Sequence, residues 1–326
     1  TVFAAVLLVC VTVSFLLGKY PVSPGELCGV LLSRIFPVQQ TWEPQAETII
    51  LQVRMPRIFA AVLIGAALSG AGACYQGIFR NPMVSPDVLG ASAASGFGAA
   101  LALFASLSYF AISMSSFLFG LVSVLLVYLV GRNLRSNPVL GLVLTGIMVS
   151  SLFSSATSFI KLVADPTNVL PAITYWLMGS LASIRQQDLL FAGVPIIIGL
   201  IPMLLLGWKL NVLTMGEEEA RTMGVNTKAV RLAVIFCATL VTAASVSVSG
   251  MIGWVGLVIP HFARMIFGSD HRVMLPASML MGASFLLIVD DFARLITTSE
   301  IPLGILTAFV GAPFFVYLIL REGRKA

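Results

Sequence analysis

The sequence predicts an all-α polytopic membrane protein of about ten transmembrane helices per subunit, with a short cytoplasmic helix and re-entrant or interfacial helices. Three observations predict it. The chain has 326 residues, of which 58% are hydrophobic and only 10% charged; soluble proteins run near about 25% charged. Apolar runs long enough to span a bilayer recur along its whole length, and mean hydropathy is +1.01. The polar residues gather between these runs, most densely at 209–231, KLNVLTMGEEEARTMGVNTKAVR.

At about 20 apolar residues per span the chain has room for roughly nine to eleven helices and no soluble catalytic domain. Residues 1–326 are therefore expected to form a single transmembrane domain. The predicted spans are 1–18, 58–79, 89–109, 111–131, 139–160, 189–207, 232–249, 251–267, 274–296 and 303–320. The first run is expected to be a span and not a cleaved signal, because it continues for 18 residues. The third and fourth are nearly fused. Gly253, Gly256 and Pro260 interrupt the eighth, which should not cross as one straight helix.

Charge asymmetry orients these spans. With the N-terminus inside, the inner loops hold 12 basic residues, Arg132, Arg135, Arg324 and Lys325 among them, and the outer loops 7, accounting for all 19. The bias predicts both termini and the 209–231 loop in the cytoplasm, and it makes the net charge of +5 a topology signal and not a sign of nucleic-acid binding. The outer loops carry an amphipathic stretch, GELCGVLLSRIF, within 19–54, and YWLMGSLASI within 161–188. The latter is too short to cross, so it predicts a half-helix dipping back, anchored by Tyr175 and Trp176.

Small residues at four-residue spacing, Ala66 with Gly70 and Ser69 with Ala73, predict close helix packing. In the fifth span Thr145, Met148, Ser151, Ser154, Ser155 and Ser158 fall on one face. That face either packs, with hydroxyls bonding back to their own helix, or lines water or a partner helix. The 209–231 stretch reads as a short helix between turns. Thr214 can cap it, Glu217 can pair with Arg221 four residues on, and Gly224 can end it. It is either a solvated loop or a docking surface for something outside the membrane.

Other chemistry is thin. The chain has no phosphate-cradling P-loop, since its Gly18-Lys19 pair is followed by Tyr20. His261 and His271 lack second ligands at metal spacing, and Cys10, Cys28, Cys74 and Cys237 show no metal or pairing pattern. Asp290 and Arg294 predict a local ion pair at a helix end. The span centres carry no Asp, Glu, Lys or Arg, which argues against a proton relay, a stand-alone secondary transporter or a membrane enzyme. A path without its own energy source needs a partner.

Six ordered blocks name one. QVRMPRI (52–58), GIFRNPMVSPDVLGASAASGFG (77–98), LTMGEEEARTMGV (213–225), SGMIGWVGLVIPHFARMIFGSDHR (249–272), DDFARL (290–295) and EIPLGILTAFVGAPFFVYLI (300–319) occur in this order over almost the whole chain. The sequence resembles the permease subunits of type II ABC importers for iron–siderophore complexes, haem and vitamin B12. The resemblance implies a homodimer with the translocation path on its two-fold axis, two cytoplasmic ATPase subunits and an external substrate-binding protein. It places the chain in a bacterial or archaeal cytoplasmic membrane, with no cofactor of its own, ATP and magnesium belonging to the ATPase.

Residue by residue, the resemblance implies ATPase coupling through Gly216, Glu217, Glu219, Ala220, Arg221 and Gly224, and binding-protein docking through Arg54, Arg57 and Arg294. The fifth and tenth spans would line the path, in agreement with the hydroxyl face. A ferric siderophore or haem is the leading cargo, with cobalamin or a metal oxyanion such as molybdate as alternatives.

Overall fold

The computed structural model describes residues 2–37, 39–131 and 138–322. Arg132, Arg135, Arg324 and Lys325, used above to orient the chain, lie outside the described residues. Among the described residues there are fifteen α-helices and no strand. They are α1 (Val2–Leu16), α2 (Pro24–Ser33), α3 (Pro44–Thr48), α4 (Met55–Ile78), α5 (Ala91–Phe104), α6 (Tyr109–Gly131), α7 (Pro138–Val163) and α8 (Val169–Met178). There follow α9 (Gln186–Leu205), α10 (Gly207–Met215), α11 (Glu217–Thr222), α12 (Thr227–Ser249), α13 (Val255–Phe267), α14 (His271–Leu295) and α15 (Leu303–Glu322).

Each of the ten predicted spans coincides with a helix. Among the described residues six helical stretches are long and apolar enough to cross a membrane by themselves: Pro44–Ile78, which joins α3 to α4 through a π-helical turn at Ile49–Arg54, and those of α6, α7, α9, α12 and α14. Helices α1, α5, α13 and the apolar part of α15 are shorter. Arg80 meets Leu213 and Asn211 meets Asp270, so the connections after α4, around α11 and before α14 share one end of the bundle. Lys19 meets Thr298, and Arg185 meets Tyr109 and flanks Arg34, so the connections after α1 and α2, before α6 and α9 and after α14 gather at another.

Small residues decide how the centre packs. Helix α4 is buried on nearly all sides, and its pairing with α14 is the most extensive in the molecule. A Cβ on Gly65 would collide with the Gly282 carbonyl of α14, and one on Gly72 with the Gly256 carbonyl of α13. Side-chain-free positions let the backbones touch, and the Ser69 hydroxyl then reaches Ser278 O at 2.7 Å. Gly72→Ala is expected to cost about 1–3 kcal/mol, because the group it strikes is backbone that cannot rotate away. Gly253→Ala, with open space around the added carbon, should be near neutral; thermal melts of the two variants in detergent check the contrast.

The short helices begin inside the bundle. Residues 86–90 fold back against the middle of α7, where a Cβ on Gly146 would meet Val88 O. Gly90, at φ +80, then opens α5. The stretch 250–254 is not helical, and α13 starts only at Val255, after Trp254 at φ +70. Helix α8 supplies a half-helix, but it lies earlier than expected: only 175–178 of the YWLMGSLASI stretch is helical, and 179–184 are not. Its C-terminal turn meets the same break, with Ser180 N–H donating to Ser249 O and Leu303 N–H to Gly179 O, each at 2.8 Å. These bonds satisfy backbone groups freed by the interruptions.

Candidate functional site

The loop that stood out in the sequence forms a braced platform. Thr214 does not cap α11: it lies in the last turn of α10, donating from Oγ1 to Asn211 O at 2.6 Å. Gly216, at φ +154, occupies the N-cap position instead, and Gly224, at φ +75, ends the turn after α11. Ala220 is fully buried and Gly216 is buried, so these two seat the helix. Glu218, Glu219, Arg221 and Gly224 are exposed, with Met215 and Met223 uncovered at the two ends of α11.

Glu217, half-exposed, turns towards α12. Its pair with Arg221 is long, at 3.8 Å, while Arg231 of α12 approaches to 2.6 Å. The Arg231 hydrogen bond holds its carboxyl below the usual carboxylate range. A depressed folded pKa means stability that is present above the unfolded value of 4.5 and lost as pH falls through the folded one. Acidification below about 4.5 should therefore loosen α11, and the Glu217→Gln variant should lose that step in a pH titration of hydrogen exchange at 216–224.

Two more struts tie the platform to other spans. Arg80, just past α4, donates from Nε and Nη2 to Leu213 O at 3.1 and 2.8 Å. Asn211 of α10 donates from Nδ2 to Asp270 Oδ1 at 2.6 Å and accepts from the His271 backbone N–H at 2.7 Å, with His271 Nδ1 also 2.9 Å from its Oδ1. Sequence reasoning missed Asn211, since a neutral side chain gives no ion-pair signal. Arg272 in turn holds the Asp270 carboxyl far below its ordinary range. Thus α10 and α11 are held by polar bonds to the ends of α4, α12 and α14.

The hydroxyl face of α7 is uneven. Ser151, Ser154, Ser155, Ser158 and Met148 are exposed, whereas Thr145 is buried, which corrects its placement on the open face. Ser154 and Ser158 line a cleft of about 430 Å³ together with Ser150 and Thr157. Ser158 bonds back to Ser154 O at 3.0 Å. Across the cleft stand Asp87, which accepts a bond from the Ser92 hydroxyl, and the broken backbone at Met251–Gly253. Lys161 contributes a second charge. An adjoining, more apolar cleft of about 710 Å³ lies along α15, sharing Leu177, Met251 and Gly253 as its wall. Asp87 and Lys161 escaped the sequence reading because they sit in or beside loops; the re-entrant fold brings them to the cleft.

At the opposite end the expectation of outward-facing arginines needs correction. Arg54, Arg57 and Arg294 are each no more than 7% exposed. Arg57 grips Asp290 through Nε at 2.8 Å and Nη2 at 2.9 Å, and Glu300 through Nη1 at 2.9 Å. Arg294 pairs with Asp291 and donates to Ser14 O at 2.8 Å; Arg54 donates to the carbonyls of Phe15 and Tyr20. The predicted Asp290–Arg294 pair is thus replaced by a crossed set that binds α1, α4 and α14. Buried guanidiniums require partners, and here the chain supplies them. Among the described residues no group of three His, Cys, Asp or Glu side chains is placed to hold a metal.

Short helices that begin inside the bundle, a central small-residue packing unit and a braced polar platform make this a multi-pass α-helical bundle. Residues 6–321 match the FecCD transport family, and the chain belongs to it. It is 39% identical over 324 residues to the molybdate import system permease protein MolB of Haemophilus influenzae, covering 99% of this chain and 96% of that one. It is 38% identical to the cobalamin import system permease protein BtuC of Halobacterium salinarum, over 87% of this chain and 76% of the relative. Among solved structures, the inward-facing conformation of a metal-chelate type ABC transporter superposes with a TM-score of 0.88, at 38% identity, covering 98% of this chain and 97% of the other.

Proposed function

We propose that two copies of this chain form the translocation path of a binding-protein-dependent importer in a bacterial or archaeal cytoplasmic membrane, with both termini in the cytoplasm. The cargo is a metal-containing solute, a chelate or an oxyanion, and ATP hydrolysis on partner subunits drives it. The observation that carries this reading is the exposed surface of α11 between Met215 and Met223, braced to three spans. An ATPase subunit seated on that surface moves α10 and α11 as one body. Arg80, Asn211 and Glu217 pass the displacement to α4, α14 and α12, and the clefts along α7 and α15 open towards one side or the other. Hydroxyls and small residues, with Asp87 and Lys161 as the ionisable groups, line the polar cleft, so cargo is guided without being held, and affinity resides on the external protein.

The test is reconstitution in liposomes with the cognate ATPase and binding protein, offering molybdate, ferric siderophore, haem and cobalamin in turn. Accumulation of one of them that requires both ATP and the binding protein is expected. Accumulation by the chain alone, driven by an ion gradient, would establish a secondary transporter instead.

A further inference from the structure

The opposite end carries a second polar cleft that neither coupling nor translocation uses. Arg34, just past α2, Gln52 and Met55 around the start of α4, and Arg185 with Gln186 at the start of α9 wall a space of about 720 Å³. Both arginines are exposed. Arg34 gives one nitrogen, Nη2, to Glu47, and the Arg185 guanidinium lies 5.4 Å from the centroid of the Tyr109 ring. Each is thereby steadied while keeping further N–H groups for another acceptor.

The walls run directly into exposed apolar surface. On α9 the face of Gln186 continues at helical spacing to Leu190, Val194 and Ile197, which are 70, 56 and 49% exposed. On α4, Met55 is followed four residues later by the exposed Phe59. Beside Arg34, Leu32, Ile35 and Phe36 are uncovered. One continuous strip therefore changes from guanidinium and amide to aliphatic and aromatic, as it must where headgroups give way to hydrocarbon.

We propose that this cleft binds a membrane glycerophospholipid. Arg34 and Arg185 take the phosphodiester oxygens, Gln52 and Gln186 donate to phosphate or ester oxygens, and the acyl chains lie along α9 and α4. Planar guanidiniums match phosphate geometry, and the bonds are charge-assisted. A free anion would make no use of the aliphatic strip. An acidic protein surface would use the arginines alone.

Native mass spectrometry of the delipidated full chain tests this, titrated separately with dioleoylphosphatidylglycerol, dioleoylphosphatidylethanolamine and dioleoylglycerol. Retention of both phospholipids and poor retention of dioleoylglycerol are expected. The double variant Arg34→Gln/Arg185→Gln should weaken phospholipid binding about tenfold or more, and Leu190→Asn/Val194→Asn should weaken it as well. Lys209→Gln, an exposed change at the other end, should leave it intact. Circular dichroism and gel-filtration profiles identify any variant that misfolds, and Arg34→Lys/Arg185→Lys, retaining charge without the fork, should bind with intermediate affinity. Unchanged binding in the double glutamine variant, or equal retention of dioleoylglycerol, would overturn the proposal. Displacement of bound phospholipid by inorganic phosphate, or by a polyglutamate peptide, would also overturn it, in favour of a free-anion or an acidic-protein site.

Discussion

Arg57→Ala is expected to lose about 3–5 kcal/mol of stability, the cost of leaving a buried charge without its partner. Asp290 is fully buried and receives two of its hydrogen bonds through the fork of Arg57, so alanine strands its carboxylate inside the bundle. Glu300 loses its cation too. Removing both members, as in Arg57→Met/Asp290→Leu, should recover much of the loss, because well-packed apolar groups avoid the desolvation of the pair. Thermal unfolding in detergent measures both. A single variant melting with the wild type, but failing to engage an external partner, would restore Arg57 to the surface role the sequence suggested.

Glu217→Arg is expected to uncouple transport from hydrolysis while the spans stay folded. It sets three cations together, with Arg231 at 2.6 Å and Arg221 at 3.8 Å from the present carboxylate, so repulsion drives α11 from its seat on α12. If the coupling free energy between ATPase and path is about 1–3 kcal/mol, a roughly 5–150-fold loss of transport follows. Transport rate and ATP hydrolysis, measured on the same liposomes, separate this from simple misassembly: hydrolysis persists and transport falls.

The ten helices were legible because each is an apolar run of its own. The small-residue spacing on α4 announced close packing, and Ser69 does reach α14, but the backbones touch at Gly65 and Gly72 while Gly70 meets the Met279 side chain. The breaks were only half legible. Gly253 lies in the break that the eighth span shows, whereas Gly256 and Pro260 sit within α13 without interrupting it, and nothing local showed that 86–90 folds back beside Gly146 to bring Asp87 to the cleft. Charges at helix ends misled in a specific way. Asp290 and Arg294 suggest each other at helical spacing, yet the stronger partner of Asp290 is Arg57, 233 positions away. Acidic residues 290, 291 and 300 match basic residues 54, 57 and 294 in number, the one signal that this end neutralises itself. Conversely, the three glutamates of α11 looked alike in sequence, and only the folded loop distinguishes half-exposed Glu217, bonded to Arg231, from exposed Glu218 and Glu219.

The central claim is that α11 drives the path through its polar braces, and the charge swap Glu217→Arg/Arg231→Glu tests it most directly. Reconstituted with ATPase and binding protein, the swap should restore most of the substrate moved per ATP that Glu217→Arg loses, since it rebuilds the bridge in reverse. If the swap remains as uncoupled as the single variant while α11 is shown in place by hydrogen exchange, the bridge does not transmit the motion and the account is wrong.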